Sequence, residues 1–90
     1  MSFSIVVPVY NEEENINKLL NEIINSIKTI TDYEIIVVND GSQDQTKNEL
    51  IKFNLYNIKI INHEKNLGQS AAIYSGIQSS YYDNIITIDG

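Results

Sequence analysis

Glu34-Ile35-Ile36-Val37-Val38-Asn39-Asp40-Gly41-Ser42 runs from four contiguous branched apolar residues straight into polar, turn-forming ones. Such a run leaves no polar face, so Glu34 to Asn39 reads as a strand buried on both sides. The pattern recurs upstream at Phe3 to Pro8, where Ile5, Val6 and Val7 are contiguous, and downstream at Asn57 to Asn62 and Ile85 to Asp89. Between the first two strands, Ile16, Leu19, Leu20, Ile23, Ile24, Ile27 and Ile30 recur at helical spacing and predict one long amphipathic helix. Glu12, Glu13 and Glu14 fall near its start, where carboxylates suit the positive helix end. A short helix from about Asp44 would turn Leu50, Ile51 and Phe53 inward. A third, from Gln69 to Ser80, would pack through Ala71, Ala72, Ile73, Gly76 and Ile77, its small residues letting it approach a sheet closely.

Alternating strands and helices with short connections imply βαβ units around a mostly parallel sheet, an α/β architecture with right-handed crossovers. Ligands of such sheets bind beyond the carboxyl ends of the strands, where strand order reverses. The polar residues gather at those ends: Tyr10-Asn11-Glu12 after strand one, Asn39-Asp40-Gly41-Ser42 after strand two, His63-Glu64-Lys65-Asn66 after strand three, and Asp89-Gly90 after strand four. Four such ends point to one site better than any single motif.

Composition narrows the chemistry. A net charge of −6 over 90 residues argues against a nucleic-acid surface. All six cations are Lys, so no bidentate guanidinium clamp for phosphate is available. The absence of Cys excludes disulfides and thiolate metal sites. No apolar run reaches the roughly 18 residues of a membrane span, and no signal-peptide layout opens the chain, so a cytoplasmic protein is expected. The four glycines, at 41, 68, 76 and 90, form neither a G-x-G-x-x-G fingerprint nor a Walker loop, which disfavours a dinucleotide dehydrogenase and a P-loop NTPase.

Each polar segment has a functional reading beside a plain structural one. Asp40 is a fixed acceptor for a base N–H or a sugar hydroxyl, but Asp-Gly-Ser is also ordinary turn chemistry, with Ser42 or Asp44 capping the next helix. Tyr10 can stack on a nucleobase and Asn11 or Glu12 can bond base or ribose; equally, Asn11 can cap the first helix. Lys65, with the helix N-terminus that follows, suits an anion such as diphosphate; it can also be a solvated Lys before an Asn–Gly turn. Asp89 offers carboxylate oxygen to a hard cation such as Mg²⁺ or Mn²⁺, or simply ends a strand. His63, the only His, reads as structural or exposed, with no partner constellation visible.

In order and spacing these segments resemble family 2 glycosyltransferases from residue 3 to the end. Ser4-Ile5-Val6-Val7-Pro8-Val9-Tyr10-Asn11-Glu12-Glu13 looks like the family's opening. Glu34 to Ser42, with Asp44 and Thr46, looks like its second motif, and Lys65-Asn66-Leu67-Gly68-Gln69-Ser70-Ala71-Ala72 like its third. Ile86-Thr87-Ile88-Asp89-Gly90 looks like the start of Asp-x-Asp. Gly68-Gln69-Ser70-Ala71-Ala72 is most similar to the dolichol- and polyprenyl-phosphate sugar transferases within the family.

The resemblance implies a Rossmann-like three-layer sandwich of GT-A type, here truncated after the fourth strand. Residues 1–90 would be its nucleotide-sugar-binding front part. It implies transfer of a sugar from a nucleoside-diphosphate sugar to a lipid-phosphate or glycan acceptor, as in cell-wall or polysaccharide biosynthesis. Mg²⁺ or Mn²⁺ would be the cofactor. Pro8, Tyr10, Glu12, Asp40, Lys65 and Asp89 would contact the donor, with Asp89 also on the metal. Many relatives carry Arg where Lys65 stands, and Lys is a point charge rather than a fork. The second Asp of Asp-x-Asp, the acceptor region and the general base would lie beyond Gly90, so no catalytic residue is expected here and the isolated chain would be inactive. The parent would act in the cytoplasm or at the cytoplasmic face of a membrane. The alternatives are a non-catalytic nucleotide-binding or chain-pairing fragment, associating through an exposed sheet edge, and an α/β signalling domain. The latter calls for an acidic cluster ending strand one, whereas Glu12 to Glu14 begin a helix.

Overall fold

The computed structural model describes residues 2–29, 32–53 and 57–89. Its elements follow in the order β1 (Ser2–Val9), α1 (Ile16–Ile27), β2 (Asp32–Asn39), α2 (Thr46–Ile51), β3 (Ile58–Asn62), α3 (Gln69–Gln78) and β4 (Ile85–Thr87). The four strands form one sheet in the order β3-β2-β1-β4, every neighbouring pair parallel. Chain order runs outward from β1 through β2 to β3 and then returns to the other side of β1. Strand order therefore reverses between β1 and β4, where open α/β sheets bind ligands.

The strand alternation sorts the core into two faces. Ile5, Val7 and Val9 of β1 and Ile35 and Val37 of β2 pack with Ile16, Leu20, Ile23 and Ile27 of α1 and Leu50 of α2. On the opposite face, Val6, Ile36 and Val38 meet Ala72 of α3, with Ile61 packed beside them. The result is three layers: α1 and α2, the sheet, and α3. At Gly76 a Cβ would run into the side chain of Val6, so its lack of a side chain sets how near α3 comes to β1.

Several expectations are corrected at the element scale. Strands one and two are longer than read, because Ser2↔Asp32 and Phe3↔Tyr33 extend their in-register pairing at the start. α1 begins at Ile16 with no acidic residue in its first turn. Glu12 to Glu14 belong instead to the turn before it, where Glu12 O accepts the N–H groups of Asn15 and Ile16. Ile51 is 63% exposed, because α2 lasts only six residues and spends its inward positions on Thr46 and Leu50. α3 buries Ala72 and Gly76, while Ile77 is exposed. β4 is three residues long and no strand lies beyond it among the described residues; Ile85 and Ile86 are 36% and 39% exposed rather than buried on both faces. Ile30 of the predicted first helix and Gly90 lie outside the described residues.

Candidate functional site

Pro8 opens the site. On the β4 side of β1, Ser4 donates its N–H to Asn84 O and Val6 O accepts from Ile88 N–H. Residue 8 faces that same side by the two-residue period, and proline has no N–H to continue the ladder. Pairing of β1 with β4 ends at Val6↔Thr87, and the strands part above it. A cleft of about 540 Å³ occupies that end, lined by Pro8, Val9, Tyr10 and Glu12 after β1, Asp40 after β2, Asn66, Gly68, Gln69 and Ala72 before and on α3, and Asp89 after β4.

Two latches shape the walls. Residues 11–13 are tied to the loop after β2: Asn11 N–H donates to Ser42 Oγ (2.9 Å), Glu12 N–H to Thr46 Oγ1 (2.8 Å), and Gln43 N–H to Asn11 Oδ1 (2.8 Å). Asn11 has a left-handed backbone, φ +51°, which Asn tolerates better than most residues. It is therefore a bridge, not the cap of α1, whose N-cap position holds Asn15. Asp44 does serve the start of α2, accepting from the Thr46 N–H (2.9 Å) and hydroxyl. These bonds fix Tyr10 and Glu12 at the rim, with Tyr10 42% exposed.

The second latch is Asp40. Its buried carboxylate takes His63 Nδ1 (2.8 Å) and Leu67 N–H (2.9 Å) on Oδ1, and Asn66 Nδ2 (2.9 Å) and Gly68 N–H (2.8 Å) on Oδ2. Two oxygens offer about four acceptor positions, and all four are taken by the protein. Asp40 lines the cleft, as expected, and in this structure its carboxylate also anchors the 66–68 wall. Burial pushes the Asp40 carboxyl up, but the bonds from His63, Leu67 and Gly68 outweigh it and hold it below the usual carboxylate range. His63 is structural, as expected, yet far from partnerless: its Nε2 lies 2.8 Å from Ser75 Oγ on α3. No sequence signal links His63 to Asp40, 23 residues away.

The model of the family described as glycosyl transferase family 2 matches residues 4–90. The chain belongs to glycosyl transferase family 2. Among curated relatives, it is 40% identical over 81 residues to a dolichyl-phosphate beta-glucosyltransferase of Trichomonas vaginalis, covering 81% of this chain and 25% of that one. Among solved structures, Staphylococcus aureus TarS 1-349 in complex with UDP superposes with a TM-score of 0.86 at 32% identity, over 99% of this chain and 27% of that one. Glucosyl-3-phosphoglycerate synthase of Mycobacterium tuberculosis, solved with Mn²⁺, UDP and phosphoglyceric acid, gives 0.72 at 26% identity, over 98% and 32%. The fold is thus the GT-A fold of glycosyltransferases, and the chain spans between a quarter and a third of the length of these proteins.

In this family 2 chain, five of the six expected donor residues line this cleft: Pro8, Tyr10, Glu12, Asp40 and Asp89. Lys65 is exposed and is not in the lining. The residues that sequence reading did not assign singly are Val9, Asn66, Gly68, Gln69 and Ala72, brought in by the Asp40 latch and by α3. Gln69 Nε2 donates to Asp89 Oδ1, aiming that carboxylate across the cleft. Among the described residues no three His, Cys, Asp or Glu side chains converge as a metal cage. Asp89 alone still fits Mg²⁺ or Mn²⁺ of the kind held by one or two carboxylates, substrate phosphates and water. Among the described residues no helix is long and apolar enough to cross a membrane.

Proposed function

We propose that this chain is the donor-binding front part of a glycosyltransferase that moves a sugar from a nucleoside-diphosphate sugar to a lipid-phosphate or glycan acceptor. The observation that carries it is the convergence of residues following β1, β2 and β4 and leading into α3 on one cleft at the reversal of strand order. UDP in a family neighbour with the same fold supports a nucleotide there. In this reading Tyr10 offers a ring face to the base, Pro8 forms the wall beneath, and Glu12 accepts from base or ribose. Asp40 acts through the 66–68 wall. Asp89 faces the diphosphate, and Lys65 meets it from outside the lining.

Charge supports a divalent cation as part of that complex. Glu12, Asp40 and Asp89 line the cleft and no Lys does, so every charged side chain in the lining repels a diphosphate arriving alone. Mg²⁺ or Mn²⁺ held by Asp89 would neutralise the departing diphosphate. Acceptor binding and the base that activates it are assigned to no residue of this chain. Its place in the cell is proposed as the cytoplasm or the cytoplasmic face of a membrane.

Calorimetric titration with UDP and with GDP, each with and without Mn²⁺, tests the reading. Saturable binding of one nucleotide, strengthened by Mn²⁺ and no longer strengthened in Asp89→Asn, is the expected result. No binding of either nucleotide to the wild-type chain overturns it.

The edge position of β4 favours a second reading, in which this edge takes a strand from another copy of the chain. Light scattering decides it: a dimer is expected, and a monomer across the accessible concentration range removes the idea.

A further inference from the structure

We infer that His63 is a positioning residue for nucleotide binding, acting through the Asp40 carboxylate on the 66–68 strap. The inference rests on the nucleotide-sugar reading above. Its ground is geometric. The His63 side chain is only 10% exposed and is tied at both ring nitrogens, to Asp40 on the sheet and to Ser75 on α3. Its backbone N–H bonds Asn39 O (2.9 Å), so the ring stands on the paired ends of β2 and β3. A carboxylate only accepts, so Nδ1 carries the proton toward Asp40, while Nε2 pairs with the Ser75 hydroxyl, a group able both to donate and to accept.

The consequence falls on the strap. Of the four bonds on Asp40, three come from residues 66–68, and the fourth, from His63, is the one that fixes the carboxylate from within the core. Without it the carboxylate keeps bonds only to the strap itself, and the strap loses its tie through Asp40 to the ring that bridges β3 and α3. Gly68 is the N-cap of α3, and Ala72 N–H already bonds Gly68 O. The strap therefore sets where the first, unpartnered N–H groups of α3 stand in the cleft. His63 is not in the cleft lining, and its effect is on placement of the wall nearest the diphosphate.

The test compares His63→Asn, His63→Gln and Ser75→Ala in the same chain. Asn presents its amide N–H₂ near the place of Nδ1 and keeps the bond to Asp40; Gln carries the amide one methylene farther, toward Ser75. Calorimetry with UDP plus Mn²⁺ and with uridine is read beside amide exchange of Leu67 and Gly68. In His63→Gln, UDP affinity is expected to fall about tenfold, uridine affinity to change less than about twofold, and the two amides to lose protection. His63→Asn is expected to bind UDP within about twofold of wild type. Ser75→Ala, which removes only the outer tie, is expected to show a smaller loss in the same sense and decides the matter if His63→Gln does not fold. Equal UDP binding by all variants overturns the inference, as does an equal loss of UDP and uridine that follows the melting temperature. Failure of the wild-type chain to bind UDP overturns the nucleotide reading itself, and this inference with it.

Discussion

Gly41 has φ +70°, where a side chain is strained, and a Cβ there would overlap the Lys65 carbonyl carbon and the Asn66 nitrogen. The loops after β2 and β3 thus touch backbone to backbone at this residue. Gly41→Ala is expected to destabilise the chain by at least about 1–3 kcal/mol, the range for a left-handed non-glycine residue, because the backbone overlap adds to the strain. Urea denaturation measures it, and an unchanged midpoint would mean that the loops do not meet. Gly68 makes the contrast: its φ is +102° but open space surrounds the missing Cβ, so only the strain term applies. At this scale sequence reading was right about kind and incomplete about partners. Asp40-Gly41-Ser42 declares a turn through local chemistry, which residue types encode. That Asp40 is fully bonded, and that His63 bonds it, depends on contacts across 23 to 28 residues, which no local pattern encodes.

At the scale of elements, periodicity placed every strand and helix, and the errors lie at ends and edges. α1 and β2 are fixed by long apolar repeats, so their existence was legible. β4 was not legible as an edge, since Ile85, Ile86 and Ile88 have the composition of a central strand. Pairing supplies the difference: Ser4, Ile5 and Val6 cover one side of β4, and no strand among the described residues covers the other. Unpaired N–H and C=O groups beside exposed Ile85 and Ile86 are the physical basis of the self-association proposed above. A charge on that edge should oppose it, so Ile86→Lys is expected to shift a dimer to monomer by light scattering. Pro8 shows the reverse case, a residue type whose missing N–H has meaning only once β4 is known to lie beside it.

At the scale of the whole molecule, two buried carboxylates bracket β2. Asp40 closes its C-terminal end, and Glu34 near its start accepts from Ser4 Oγ (2.6 Å), Lys59 Nζ (2.9 Å) and the Tyr81 N–H. Burial pushes the Glu34 carboxyl up, but the bonds from Ser4, Lys59 and Tyr81 prevail, so it too is held below its ordinary range. Both groups bind protons more weakly folded than unfolded. Their stabilisation is therefore fully present above the ordinary values of 4.5 and 3.8 and is lost as pH falls through the lower folded values. The urea midpoint is expected to be flat with respect to these groups above about pH 5 and to fall toward about pH 2, with a shallower fall in Glu34→Gln. A midpoint independent of pH across that range would show that neither carboxylate is tied as described.

By itself the sequence determined the α/β class, the run of strands and helices, the family, and the strand ends where the site would lie. These follow from local periodicity, turn chemistry and motif order, all readable along one dimension. Only the tertiary structure decided that β4 is the edge strand among the described residues, that Lys65 stays out of the cleft lining, and that Asp40 is a bonded anchor held by His63. Those are matters of which distant groups meet, and the packing of α3 on β1 and the register of the parallel strands set them.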